Sequence, residues 1–281
     1  MDEDLTPYKV PGKAALASLP HYPSLKAVGA VMAGVPRTIR AMWRSLDSLD
    51  LVWISAGHPF GLLLLFLCLI RGRDAAILVR QDSLAYFRAR LPGRAWRAGL
   101  LPLWLVDRAF RLAGRRLPVT AVGPQLAEQF GAPRLNVLSF TVNLMAAAAV
   151  EPDRAAQLGA PVELLTVGRM EPEKDPETLL AALELLERHQ PGHFRLTWVG
   201  TGRLREQIVT SAARRGLSEH LSFPGFVAMG EGLEQFYSRA DLFVHVALTE
   251  GVPQVLGEAM ANGLPIIATD VGGVAGELGR A

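Results

Sequence analysis

From Val162 onward, short β-rich runs alternate with helical patterns, and that alternation constrains the fold more than any other feature of the chain. The runs are Glu163 to Gly168, Arg195 to Gly200, Leu221 to Phe223, Leu242 to Val246 and Pro265 to Thr269. Strands separated by helix-length stretches predict a parallel sheet wrapped by helices. The helices are well marked. Asp175-Pro176 opens one that carries Leu179, Leu180, Leu183 and Leu186 on a helical period, and Pro191-Gly192 closes it. A second is expected from about Leu204 to Arg215. A third, near Gly232 to Ala240, places Leu233, Phe236 and Tyr237 on one face, and a fourth runs from Pro253 to Gly263.

The same alternation is fainter earlier in the chain. Leu51 to Ser55, Ala75 to Arg80, Val119 to Val122 and Asn136 to Phe140 read as strands, with helices near Ser24 to Leu46, Phe60 to Ile70 and Leu84 to Gly114. The stretch Asn143 to Gly159 carries an Ala run and Glu151-Pro152-Asp153 but no strand signal. The expected boundary lies there, giving a partial first Rossmann-like domain over residues 1–150 and a second over 151–281. A chain of 281 residues is long enough for two such units.

Charge separates the halves as well. Residues 1–150 hold 18 Lys+Arg against 9 Asp+Glu, whereas the remainder holds 11 against 18. Arg71 to Arg116 contains eleven arginines and three acids, mixed with Trp96, Leu101, Trp104, Leu105 and Phe110. Two readings fit this mixture: contact with an anionic membrane surface, or a solvated basic helix pair that packs its Leu and Trp into a core. Nucleic acid fits less well, since no recognition module accompanies the charge. Cys68 is the single cysteine, so no intramolecular disulfide is possible, and a reducing cytoplasm is the expected setting. It lies in the apolar run Gly61 to Ile70, which is half the roughly 20 residues of a membrane span and reads as a buried core helix. Met1 to Gly12 lacks the pattern of a secretory signal, and Asp2-Glu3-Asp4 reads as solvated charge, so no metal site is expected.

The most informative stretch is Thr249 to Gly263, TEGVPQVLGEAMANG, which follows a strand and turns into a helix. A helix start leaves backbone N–H groups unpaired and carries partial positive charge, so the turn Gly251-Val252-Pro253-Gln254 is a natural cradle for a diphosphate. Glu258 lies between one and two turns further on, where its carboxylate can accept hydrogen bonds from a ribose, and Glu250 stands at the mouth. At the end of another strand, Gly168-Arg169 and Lys174 place a guanidinium fork and an ammonium at the edge of the sheet where open α/β sheets bind ligands.

Taken with Val199-Gly200-Thr201-Gly202, Phe223-Pro224-Gly225-Phe226-Val227, Ala240-Asp241-Leu242, Glu258-Ala259-Met260-Ala261 and Ala268-Thr269-Asp270-Val271-Gly272-Gly273, these residues resemble the retaining family-four glycosyltransferases of the GT-B fold. The resemblance implies two Rossmann-like domains, a nucleoside-diphosphate-sugar as donor substrate and no separate cofactor; the expected acceptor is a hydroxyl of a lipid-linked or polysaccharide molecule, the lipid part resting on the arginine and tryptophan region alone. It further implies that Gly168, Gly200 and Gly202 line the donor cleft and that Arg169 and Lys174 bind the diphosphate. Glu250 would contact the transferred sugar, Glu258 the ribose, and backbone near Val227 the base. Retention would proceed without a protein nucleophile, with the leaving phosphate helping to take the acceptor proton. Gln81-Asp82 stands close to where the family carries a histidine, which is absent here. Asp82 can receive the acceptor proton or can simply cap the helix near Leu84. His58 is the histidine placed for acceptor-side chemistry, whereas His245 and the rest read as structural or exposed.

The family's opening strand and glycine-rich loop find no counterpart before Asp50, and its last strand and closing helices none after Gly273, so the first domain is expected to be incomplete and the isolated chain, with unpaired edges, to be unstable, to aggregate or to need a partner. Two other functions compete: a non-catalytic nucleotide-sugar-binding fragment or subunit, and a nicotinamide dehydrogenase using Gly200 to Leu204.

Overall fold

The computed structural model describes residues 28–90, 100–141, 160–228 and 230–279. The expected boundary at 143–159 lies outside the described residues, as do Asp2 to Asp4 and Trp96. The first unit runs α1 (Val28–Ser45), β1 (Leu51–Ser55), α2 (Pro59–Arg71), β2 (Asp74–Val79), α3 (Ser83–Arg90), α4 (Leu100–Ala113), β3 (Val119–Val122), α5 (Pro124–Gln129) and β4 (Val137–Phe140). Its four strands are parallel and stand in sequence order, β1-β2-β3-β4.

That order has a physical consequence. Right-handed crossovers that always step in one direction deliver their helices to one face of the sheet. Leu65 of α2, Phe110 of α4 and Leu126 of α5 accordingly share one core with Val52, Ile54, Ile77 and Val119. On the opposite face Leu51, Trp53 and Leu138 are about 60% exposed, and the Trp53 indole spans β2 to donate to Thr120 Oγ1 at 3.1 Å. The run Gly61 to Ile70 is corrected here: it forms a helix, but Leu65, Leu67 and Cys68 alone are buried, while Phe66, Leu69 and Ile70 face outward. A single covering layer over the sheet gives that helix one apolar partner surface, so its other side stays open.

The second unit runs β5 (Val162–Val167), α6 (Pro176–His189), β6 (Phe194–Val199), α7 (Arg205–Arg214), β7 (Leu221–Gly225), α8 (Glu231–Arg239), β8 (Leu242–His245), α9 (Gln254–Ala261), β9 (Ile266–Ala268) and α10 (Val274–Leu278). The parallel order is β7-β6-β5-β8-β9. Winding leaves β5 one way through β6 and β7 and the other way through β8 and β9, so helices cover both faces. Leu180, Leu183, Trp198 and Ile208 form the core on one side, and Leu165, Tyr237, Phe243 and Leu256 the core on the other. The reversal falls between β5 and β8, and ligands in such sheets bind at the carboxyl ends of the two strands that flank it.

Candidate functional site

The loops that leave β5 and β8 are tied together by backbone, with Leu248 N donating to Glu173 O at 2.8 Å. The loop after β5 carries Gly168 and Arg169 into a 3₁₀ turn at Pro172–Lys174, and Asp175 takes a left-handed conformation before α6 begins. This compact path lays the Lys174 side chain beside Gly168 and sends its ammonium to Glu250, the two forming an ion pair across the switch point. His245, the last residue of β8, completes the group: its Nε2 lies 3.1 Å from Glu250 Oε1. Burial alone would raise the Glu250 carboxyl, but the His245 imidazole and the Lys174 ammonium overcome it and hold the group below its ordinary value.

A folded-state value below the unfolded one means that this grip stabilises the protein above the ordinary carboxylate range and is lost as the pH falls through the lowered value. Glu250→Gln removes the titration. Thermal melts between pH 7 and pH 3 are therefore expected to show the variant losing less stability on acidification than the parent protein. Equal losses would contradict the placement.

Arg169 is exposed and reaches the same loop from outside, with its Nη2 3.2 Å from Glu173 Oε1. Glu171 and Glu173 are both buried, and sequence reasoning missed them. Glu173 also accepts from Arg90 Nε at 2.8 Å, Arg90 pairs with Glu171 as well, and Glu171 takes Arg203 Nε at 3.0 Å. Arg90 belongs to α3, so these two carboxylates join the units as well as orienting the arginines around the loop.

Beyond Glu250, Pro253 takes the N-cap position and α9 starts at Gln254, so the positive end of the helix dipole faces the loop that carries Glu250, with Leu256 N turned back to Pro253 O at 3.1 Å. Glu258 sits one turn in, is buried, and accepts from the Tyr237 hydroxyl at 2.7 Å. Burial and the neighbouring carboxylate push the Tyr237 hydroxyl up well beyond its ordinary value, so it remains a donor. One carboxylate oxygen of Glu258 is thereby fixed in place by a residue that the sequence marked only as an apolar helix face.

Other expected site residues have packing reasons of their own. A Cβ on Gly200 would stand 2.1 Å from Gly168 O, and one on Gly202 2.5 Å from Met170 O, because the loops after β5 and β6 run in contact. Gly251 faces the other unit, where a Cβ would meet the Arg80 carbonyl at 2.9 Å, and Val252 packs against Gly123. Val227 follows β7 and is partly buried against the second core, next to exposed Phe226.

Asp82 caps α3, accepting from Ala85 N at 2.9 Å. It also lines, with Gly123, Gln125, Glu250, Gly251 and Gly273, a cleft of ≈170 Å³ between the units. His58 caps α2 through its Nδ1. A larger hollow of ≈490 Å³ lies against β5, β6 and α8, but none of the expected site residues lines it.

Comparison with known proteins points the same way. Residues 153–280 match the family described as glycosyl transferases group 1. The amylovoran biosynthesis glycosyltransferase AmsK of Erwinia amylovora is 32% identical over 123 residues, 42% of this chain and 30% of that protein. A GDP-mannose-dependent alpha-(1-6)-phosphatidylinositol monomannoside mannosyltransferase of Mycobacterium tuberculosis is 30% identical over 161 residues, 55% of this chain and 41% of the relative. These matches take in less than half the length of either relative. Among solved structures, WaaG, a glycosyltransferase involved in lipopolysaccharide biosynthesis, superposes with a TM-score of 0.62 at 17% identity, covering 94% of this chain and 70% of its own. HepE of Anabaena in complex with UDP gives 0.61 at 19%, covering 87% and 66%. At such identities the likeness is one of fold, and that fold is GT-B, as the sequence resemblance implies.

Proposed function

We propose, from the group 1 glycosyltransferase domain that residues 153–280 form, that the protein moves a sugar from a nucleoside-diphosphate-sugar to a hydroxyl of a lipid-linked or polysaccharide acceptor. The observation that carries this reading is the meeting of Lys174 and Glu250 at the β5/β8 switch point, beside the N-terminus of α9.

The chemistry follows from charge. As the glycosidic bond to the diphosphate breaks, negative charge develops on the leaving oxygens, and the Lys174 ammonium, the Arg169 guanidinium and the α9 amides are the groups placed to stabilise it. Glu258 accepts from the ribose hydroxyls. Glu250, relieved of Lys174 when a phosphate draws the ammonium away, accepts from a hydroxyl of the transferred sugar. Transfer with retention needs no protein nucleophile in this scheme, and Asp82 at the far wall of the cleft is the group available to an acceptor hydroxyl.

Side-by-side titration with UDP, GDP and NADH tests the donor assignment. One of the nucleoside diphosphates is expected to bind and NADH not, because Gly200 and Gly202 accommodate neighbouring backbone and need no dinucleotide to explain them. A sugar-transfer or donor-hydrolysis assay of the purified chain then separates an enzyme from a non-catalytic binding subunit.

The acceptor reading rests on the first unit. Leu101, Trp104, Leu105 and Leu112 of α4 are exposed, as are Arg108, Arg115 and Arg116. The alternative of a basic helix burying its Trp and Leu is weakened for α4, where Val106 and Phe110 are the buried side chains and Leu101, Trp104, Leu105 and Leu112 are not. Apolar side chains rimmed by arginine suit an anionic bilayer at the cytoplasmic face. Among the described residues no helix is long and apolar enough to cross a membrane, so contact would be peripheral. Sedimentation with phosphatidylglycerol vesicles is expected to pull down the protein in low salt. Trp104→Ser with Leu105→Ser is expected to weaken binding on the order of tenfold from the apolar area lost. Equal binding to phosphatidylcholine vesicles would contradict the charge argument.

A further inference from the structure

His245 is a buried histidine whose Nε2 lies 3.1 Å from Glu250 Oε1, close enough for an ion pair, yet it meets hydrogen-bond geometry with no group among the described residues. It stands two positions after Phe243 on β8, so both side chains enter the layer beneath α8 and α9, an apolar setting in which a polar ring nitrogen is costly unless it serves a partner. Its backbone is fixed as well, because Thr269 N donates to His245 O at 3.0 Å and Thr269 Oγ1 bridges the N–H and carbonyl of Ala247. Glu250 Oε1 thus has two holders of different kinds: a flexible ammonium from the loop after β5 and a rigid imidazole from the strand beneath.

We propose that His245 is a positioning residue for Glu250, keeping the carboxylate aimed into the cleft when an incoming diphosphate takes Lys174 away. The inference rests on the reading of Glu250 as the group that contacts the transferred sugar. In the free protein Lys174 neutralises Glu250. Once the ammonium turns to the phosphates, an unsupported carboxylate would be free to follow it. A small turn of the ring brings Nε2–H onto Oε1, and the second oxygen then remains presented to a sugar hydroxyl. The partner fixes the tautomer, since a carboxylate oxygen accepts and the ring nitrogen facing it must carry the proton.

The test compares affinities for a nucleoside diphosphate and its sugar ester, UDP with UDP-glucose and GDP with GDP-mannose, using the pair that the parent protein binds. His245→Leu is expected to lower affinity for the sugar ester about tenfold, the scale of one charge-assisted hydrogen bond, and to leave the bare diphosphate unaffected. His245→Gln, whose amide reaches the Nε2 position, is expected to recover most of the loss. A general packing defect would move both ligands together, and that result, or no change in either, would overturn the proposal. Glu250→Ala, measured alongside, separates the inference from its premise. Loss of the sugar increment in Glu250→Ala but not in His245→Leu defeats the role of His245 alone. No loss in Glu250→Ala defeats the sugar contact, and the proposal with it.

Discussion

Glu258→Ala is expected to weaken nucleotide-sugar binding by about 10- to 100-fold in calorimetry, the range for losing one or two hydrogen bonds to a charged acceptor. Glu258 is buried in the first turns of α9, with one oxygen occupied by Tyr237 at 2.7 Å. The substitution also strands the Tyr237 hydroxyl, which stays protonated in its buried site, at a cost of about 1–3 kcal/mol in folding stability. Glu258→Gln separates the two effects, because its amide oxygen can still accept from Tyr237 while the charge offered to a ribose is gone. Its melting temperature should stay close to that of the parent while its affinity remains low. Glu206, exposed on α7, is the fitting control. Glu184 on α6 is unsuitable, because it is half-buried and pairs with both Arg188 and Arg215, so replacing it would disturb stability on its own account.

Lys174→Ala is expected to produce the largest loss of transfer, on the order of 100- to 1,000-fold in kcat/KM, the scale found when one preorganised donor to developing charge is removed. Two physical losses add. No ammonium is left to meet the leaving diphosphate, and Glu250 is left in a partly buried site with His245 alone. Lys174→Arg is expected to restore little, since a planar fork cannot occupy the space against Gly168 that an unbranched ammonium stem fills. Arg169→Ala should cost less than Lys174→Ala, because its guanidinium is exposed and solvent already screens it.

What could be read from the sequence followed from periodicity and local chemistry. The five strands of the second unit are where their β-rich runs stand, and the helices begin and end at the Pro and Gly signals, with shifts of a residue or two such as α9 starting at Gln254 rather than Pro253. The passage from β8 through Gly251 into α9 was legible because strand, Gly-Val-Pro and helix signals lie in contiguous residues. The fork of Arg90 onto Glu171 and Glu173 was not, since it joins residues about eighty positions apart and each alone looks like surface charge. The contact of His245 with Glu250 was not legible for a related reason. Nothing in Leu242 to Val246 shows that one strand position buries an imidazole against Glu250; that follows only when the loops after β5 and β8 are placed side by side. Phe66, Leu69 and Ile70 show the converse: an apolar run reads as core, and only the one-sided layering of the first sheet leaves them exposed.

The reading depends on one claim, that Lys174, Arg169 and the leading amides of α9 surround a single pyrophosphate. A crystal structure with the nucleoside diphosphate that binds most tightly tests it directly. The phosphates should lie between Lys174 Nζ and the Gly251 turn, with the Lys174–Glu250 pair opened and Glu250 still against His245. Density for the diphosphate elsewhere, with Lys174 still paired to Glu250, would contradict the claim and the function built on it.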